Sequence, residues 1–339
     1  MKQIKNTHYE GERPLFASHG LYLEEVTIHA GESALKECSD IEAVNCRFEG
    51  KYPFWHNDGF VVKNCLFTEG ARAALWYSRN LKMKDTLVEA PKMFREMDGV
   101  ELENVQLPNA LETLWYCRNV EVKHSTMFEM ARAGIWYTDH ISMEDITYQA
   151  PKGFRRCKDV VLKDINFPNA AETLWNCSQV KMQNVTAKGD YFAMGSSDME
   201  IDNFTLVGNY SFDGAKNLTI RNARMLSKDA FWNCENVTVY DSFISGEYLG
   251  WNAKNVTLIN CTIESEQGMC YMDNLKMENC RLLNTNLAFE YATVDAQIDS
   301  KIDSVKNPIS GKIRAKQIDE IIFDNPDVKK ENTDIVTED

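Results

Sequence analysis

The sequence predicts an all-β chain wound as a single-stranded parallel β-helix of about 14 rungs. Three observations predict it. A five-residue pattern, apolar, polar, apolar, polar and then Asn or Asp, returns every 19 to 21 residues from about Leu21 to Ala292. Each return follows a small or polar turn residue. No stretch keeps helical spacing.

The first strand of a rung is read from segments such as Ile41-Glu42-Ala43-Val44-Asn45, Val100-Glu101-Leu102-Glu103-Asn104 and Val256-Thr257-Leu258-Ile259-Asn260. Side chains alternate along a strand, so two of these face the core and two face out. A second short strand follows, as in Cys261-Thr262-Ile263, and a third precedes the next turn, as in Leu174-Trp175-Asn176. Leucine-rich repeats share the period but need a leucine signature and a helical return. Propellers and helical repeats need roughly 33 to 50 residues per repeat.

The column before each first strand includes Asp40, Gly59, Asn80, Gly99, Asn119, His140, Asp159, Asn217, Asn236, Asn255 and Asn274. Gly, Asn and Asp tolerate a left-handed backbone, so this column builds a corner. The fifth-position column, including Asn184, Asn203, Asn222, Asp241, Asn260 and Asn279, is expected to stack its amides from rung to rung. Asn184, Asn203, Asn217, Asn236, Asn255 and Asn260 also fit the glycosylation pattern. A glycan there would part stacked rungs, so these matches are expected to be incidental.

Rungs that stack need covered ends. Residues 1–20 are expected as an N-terminal cap, 21–293 as the β-helix, 294–324 as a C-terminal cap and 325–339 as an acidic disordered tail. The formal net charge of −14 disfavours nucleic acid and anionic membranes. Met1–Gly11 has no apolar run, which predicts a cytoplasmic protein. Nine of the ten cysteines fall in two inward columns, and the cysteines read as small core residues with reduced thiols. No spacing suggests a metal site, and no cofactor is expected.

Function is sought on the third strand. Four residues before the corner successive rungs carry Trp55, Trp76, Arg95, Trp115, Trp136, Arg155, Trp175, Met194, Asp213, Trp232, Trp251 and Cys270, after a column that is almost wholly apolar. Alternation turns these side chains outward, as an aromatic and arginine stripe. Residues 60–119 also align with 120–179 without a gap, matching Glu112-Thr113-Leu114-Trp115 with Glu172-Thr173-Leu174-Trp175. Stacking of Trp and Arg between rungs is one explanation, at roughly 0.5 to 2 kcal/mol per pair. The functional alternative is a platform for sugar rings. Arg72, Lys92, Arg132, Lys152 and Arg156 beside the stripe would favour an acidic oligosaccharide or phosphosugar.

Two carboxylate pairs on adjacent rungs, Asp229 with Glu247 and Glu172 with Asp190, are candidate catalytic dyads about 5 Å apart. His56 beside Asp58 is a candidate base. Were the protein an enzyme, it would be a carbohydrate-active hydrolase, lyase or epimerase. The other class is a structural or self-associating scaffold, a homo-oligomer packed through the same stripe or through a flat side.

Ala131-Arg132-Ala133-Gly134-Ile135-Trp136-Tyr137-Thr138, Lys228-Asp229-Ala230-Phe231-Trp232-Asn233, Gly246-Glu247-Tyr248-Leu249-Gly250-Trp251-Asn252 and Ser304-Val305-Lys306-Asn307-Pro308 resemble an uncharacterised bacterial family, the domain of unknown function DUF3737. The resemblance spans about residues 10–320. It implies a right-handed, pectate-lyase-like β-helix and no particular reaction. The segments typical of polygalacturonases and the calcium-binding aspartates typical of pectate lyases do not occur.

Overall fold

Left-handed corners set the architecture. Asp40, Asn80, Asn119, His140, Asp159, Asn217, Asn236, Asn255 and Asn274 have φ between 52° and 60°. So do the fifth-position residues Asn184, Asn203, Asn222 and Asn260. The computed structural model describes residues 1–128 and 130–338. It divides into two compact units, Met1–Ala170 and Ala171–Asp339, and each is a parallel β-solenoid in its own right.

In the first unit the strands Lys2–Glu12, His19–Glu32, Ser39–Val44, Asp58–Lys63, Arg79–Lys84, Asp98–Glu103, Arg118–Met127, Asp139–Tyr148 and Lys158–Phe167 pair in that order, all parallel. The register joins Ile41, Phe60, Leu81, Val100, Val120, Ile141 and Val160, so the repeating pattern of the sequence stacks on itself. In the second unit Ser178–Lys188, Ser197–Val207, Lys216–Leu226, Glu235–Tyr240, Lys254–Ile259, Asp273–Leu283, Thr293–Lys306, Ser310–Ile322 and Thr333–Thr337 do the same.

The chain has about 18 turns, against the expected 14. Lys2–Glu12 falls where a cap is expected, yet it pairs in parallel with His19–Glu32. Residues 294–324 hold two long strands, and Thr333–Thr337 adds another within the stretch expected to be disordered. Asp339, the last residue of that stretch, lies outside the described residues. These turns escape a reading by alternation because no residue of Lys2–Glu12 is fully buried and much of Ser310–Ile322 is exposed.

Amide ladders run along the corners. Asn64 donates to Asn45 at 2.7 Å, Asn203 to Asn184 at 2.8 Å and Asn279 to Asn260 at 2.8 Å. At the other corner Asn236 donates to Asn217, Asn255 to Asn236 and Asn274 to Asn255, at 2.9 to 3.0 Å. A glycan on these nitrogens would replace a ladder bond. The ten cysteines are buried and unbridged. Burial pushes the Cys38 thiol up to about 11 and those of Cys117 and Cys270 up to about 12, which leaves little nucleophilic thiolate.

The internal repeat carries a matched exchange in the core. Val88 and Ala74 of the first copy become Tyr148 and Gly134 in the second. Tyr148 is fully buried, and a Cβ on Gly134 would collide with its hydroxyl. The larger ring occupies the space that the missing methyl leaves.

Candidate functional site

The third wall of the turn holds the residues singled out in the sequence. In the first unit it is a short parallel sheet of Phe94–Arg95, Leu114–Trp115, Ile135–Trp136 and Phe154–Arg155. Phe94, Leu114, Ile135 and Phe154 are buried, while Arg95, Trp115, Trp136 and Arg155 lie outside them, half-exposed. Alternation along the strand thus puts the stripe where it is expected.

Its rings are stacked on one another. Trp55 stacks on Trp76 at 5.6 Å and 8°, and Trp115 on Trp136 at 5.1 Å and 4°. The Arg95 guanidinium lies 5.0 Å from the Trp76 ring and that of Arg155 5.6 Å from Trp136. Three of the indole nitrogens are also committed, whereas that of Trp136 is buried without an acceptor. Trp55 donates to the Ala73 carbonyl, Trp76 to that of Lys92 and Trp115 to that of Ala133, at 2.5 to 2.7 Å. In-register parallel strands place like side chains about 4.8 Å apart, close to the spacing of stacked rings, so the stripe clads the wall.

Exposure passes to the next residue along. Tyr77 is 39% exposed and Tyr116 48%, and Tyr116 stacks on Tyr137 at 4.8 Å and 3°. Strict alternation would turn these tyrosines inward. Their φ values, 60° for Tyr77, 55° for Tyr116 and 52° for Tyr137, put a left-handed corner there, and the side chain stays outside. The sequence reading missed them; the recurring pairs Trp76-Tyr77, Trp115-Tyr116 and Trp136-Tyr137 were the available signal.

One turn earlier in register, Glu96 replaces a tyrosine, so no ring covers the Tyr116 face on that side. A groove of about 330 Å³ opens there, lined by Glu96, Asp98, Tyr116, Arg118, Tyr137 and Asp139. Arg118 pairs with Asp98 at 3.0 Å and Arg95 with Glu96 at 3.6 Å. Of the other candidate cations, Lys92 pairs with Glu112 at 3.1 Å, and the Arg156 guanidinium donates to the Tyr137 hydroxyl at 2.9 Å. Lys152 is half-buried at a left-handed corner with φ 58°. Arg72 and Arg132 are exposed and make no ion pair among the described residues. His56 stacks on Tyr77 at 5.1 Å and 15°.

The second unit is built differently. Leu174, Ala193, Phe212 and Phe231, the residues before the stripe, are themselves left-handed, at φ 58° to 61°. The wall is not a strand, and its rings tilt. Trp232 meets Tyr210 at 90° and Trp251 at 37°, and Trp175 meets Tyr191 at 80°. Trp175 and Trp232 still donate to carbonyls, those of Tyr191 and Tyr248.

The two expected carboxylate pairs lie on adjacent turns here. The Glu172 amide donates to the Asp190 carbonyl and the Asp229 amide to that of Glu247, both at 2.9 Å. Asp190 is exposed and accepts the Asn209 amide at 2.7 Å. Glu247 is held by Lys228 at 2.7 Å. Asp229 is only 2% exposed; burial first, then the nearby Glu247 charge, raises its carboxyl above the usual range, partly offset by Lys228 and Tyr210. The members of this pair therefore sit in unlike environments.

Among the described residues no group of three or more metal-ligating side chains gathers. No helix among them is long and apolar enough to cross a membrane.

Solved structures resemble the chain at low identity. The A-module of the mannuronan C-5 epimerase AlgE4 of Azotobacter vinelandii shares 10% identity over 88% of this chain and 91% of that one, with a TM-score of 0.31. QnrB1, a plasmid-mediated fluoroquinolone resistance protein, shares 12% over 56% of this chain and 83% of its own, with a TM-score of 0.23. The tailspike protein of the E. coli bacteriophage HK620, solved with a hexasaccharide, shares 10% over 94% and 66%, with a TM-score of 0.31. No curated protein matches the chain in sequence. The family model described as a protein of unknown function, DUF3737, matches residues 2–126 and 113–336, and the chain belongs to that family.

Proposed function

We propose that this β-solenoid binds a carbohydrate in the groove beside Tyr116. The observation that carries the reading is the Tyr116 ring itself, 48% exposed, backed by Tyr137 and facing a turn where Glu96 stands in place of a ring. A flat aromatic face can cover the apolar side of a pyranose, while Glu96, Asp98, Arg118 and Asp139 bond its hydroxyls. Arg95, Trp115 and Trp136 of the stacked stripe directly precede Glu96, Tyr116 and Tyr137 in the chain.

Three carboxylates against one arginine favour a neutral sugar here. An acidic oligosaccharide would instead engage the exposed Arg72 and Arg132. A thermal-shift titration of neutral and uronic oligosaccharides against the wild type, Tyr116→Ala and Arg132→Ala separates the two. At about 100 times its dissociation constant a ligand adds roughly 2.7 kcal/mol. A neutral sugar whose shift vanishes in Tyr116→Ala supports the groove. The absence of any shift, together with a sedimentation change in Tyr116→Ala, supports a self-associating scaffold instead.

A further inference from the structure

The column of left-handed residues under the second unit's wall reads Tyr191, Tyr210, Asp229 and Tyr248, at φ 59°, 56°, 56° and 56°. Tyr191 and Tyr210 stack at 4.8 Å and 8°. Asp229 then takes the place of a ring, and the stack stops. Tyr210 meets Trp232 at 6.1 Å, Trp232 meets Trp251 at 6.1 Å, and Trp251 meets Tyr248 at 6.0 Å, edge-on or tilted in every case. The carboxyl is close enough to Tyr210 for its charge to be the leading cause that raises that phenol.

This carboxyl is incompletely used. Its Oδ1 is buried and accepts no hydrogen bond. Lys228, the adjacent cation, is drawn to Glu247 at 2.7 Å and lies over the Tyr248 ring at 5.3 Å. Buried acceptors in folded proteins are nearly always satisfied, and one left open among aromatic rings marks a place for a donor. A hydroxyl would supply the hydrogen bond alone. A protonated amine supplies the bond, the compensating charge and an attraction to the ring faces.

We propose that Asp229, with Tyr210, Trp232, Tyr248 and Trp251, forms a binding site for a small organic cation, a protonated amine. The site belongs to the second unit and does not depend on the Tyr116 groove. The amine donates to Asp229 Oδ1, which holds the carboxyl in its charged form. Binding therefore strengthens as pH rises from the acid range, so long as the amine keeps its proton.

The test is calorimetric titration of the full chain with methylammonium, following the indole N–H resonances in parallel. Saturable binding is expected, with a Trp232 signal that moves. Asp229→Asn, which keeps the shape and removes the charge, is expected to weaken it by at least about tenfold. Asp229→Tyr, which fills the column with a ring, is expected to abolish it, and Tyr116→Ala to leave it unchanged. Melting curves establish that each variant is folded. No saturable binding to the wild type, or equal affinity in folded Asp229→Asn, overturns the proposal.

Discussion

Trp115 and Trp136 lie face to face at 5.1 Å, 4° from parallel, although 21 residues separate them in the chain. Their contact is a property of the register between turns. Removing Trp115 is expected to destabilise the chain by roughly 1 to 3 kcal/mol, since a large half-buried ring and its indole hydrogen bond are lost. The double variant Trp115→Ala/Trp136→Ala should cost less than the two single variants combined, by about 0.5 to 1.5 kcal/mol. Urea unfolding of the four proteins measures the cycle; strict additivity would remove stacking as the stripe's role.

Tyr116→Ala should behave in the opposite manner. Its ring is half-exposed and its backbone is left-handed, so stability should change by no more than about 1 kcal/mol while sugar binding disappears. Sugar-induced melting shifts and urea midpoints of the same variant check both halves.

Asp229→Asn should stabilise the protein near neutral pH. The native carboxyl keeps its proton to higher pH than the unfolded one, whose ordinary value is 3.8. Through that interval the native state binds more protons, so this group makes stability fall as pH rises. The amide removes that fall and leaves no buried charge. Urea midpoints taken from about pH 4 to 7 should show a flatter profile in the variant, and an unchanged slope would contradict it.

Gly134→Ala should cost about 1 to 3 kcal/mol, because the new methyl meets the Tyr148 hydroxyl in a packed core. Adding Tyr148→Val restores the Ala74 and Val88 combination of the first copy and should recover most of the loss. Thermal melts of the single and double variants decide it.

The corners were legible in the sequence because left-handed backbone selects Asn, Asp and Gly. The terminal turns were hidden since Lys2–Glu12 lacks a buried face to alternate with. At the site, alternation placed Trp115 and Trp136 outside correctly, but the direction of their planes depends on register and rotamer. Tyr116 was overlooked because a left-handed corner breaks the alternation on which the reading relied. Asp229 looked like one half of an acidic pair; its burial beside Tyr210 depends on the register between turns, which no local pattern announces.

The order Trp55, Trp76, Arg95, Trp115, Trp136, Arg155 is two indoles and a guanidinium, repeated. A second copy of residues 60–119 spliced after Asn119 would keep that order at both seams, and each new plane would find a mate of the type it already has. Length in this molecule is therefore adjustable in steps of three coils, and a longer version needs no fresh invention of surface or interior.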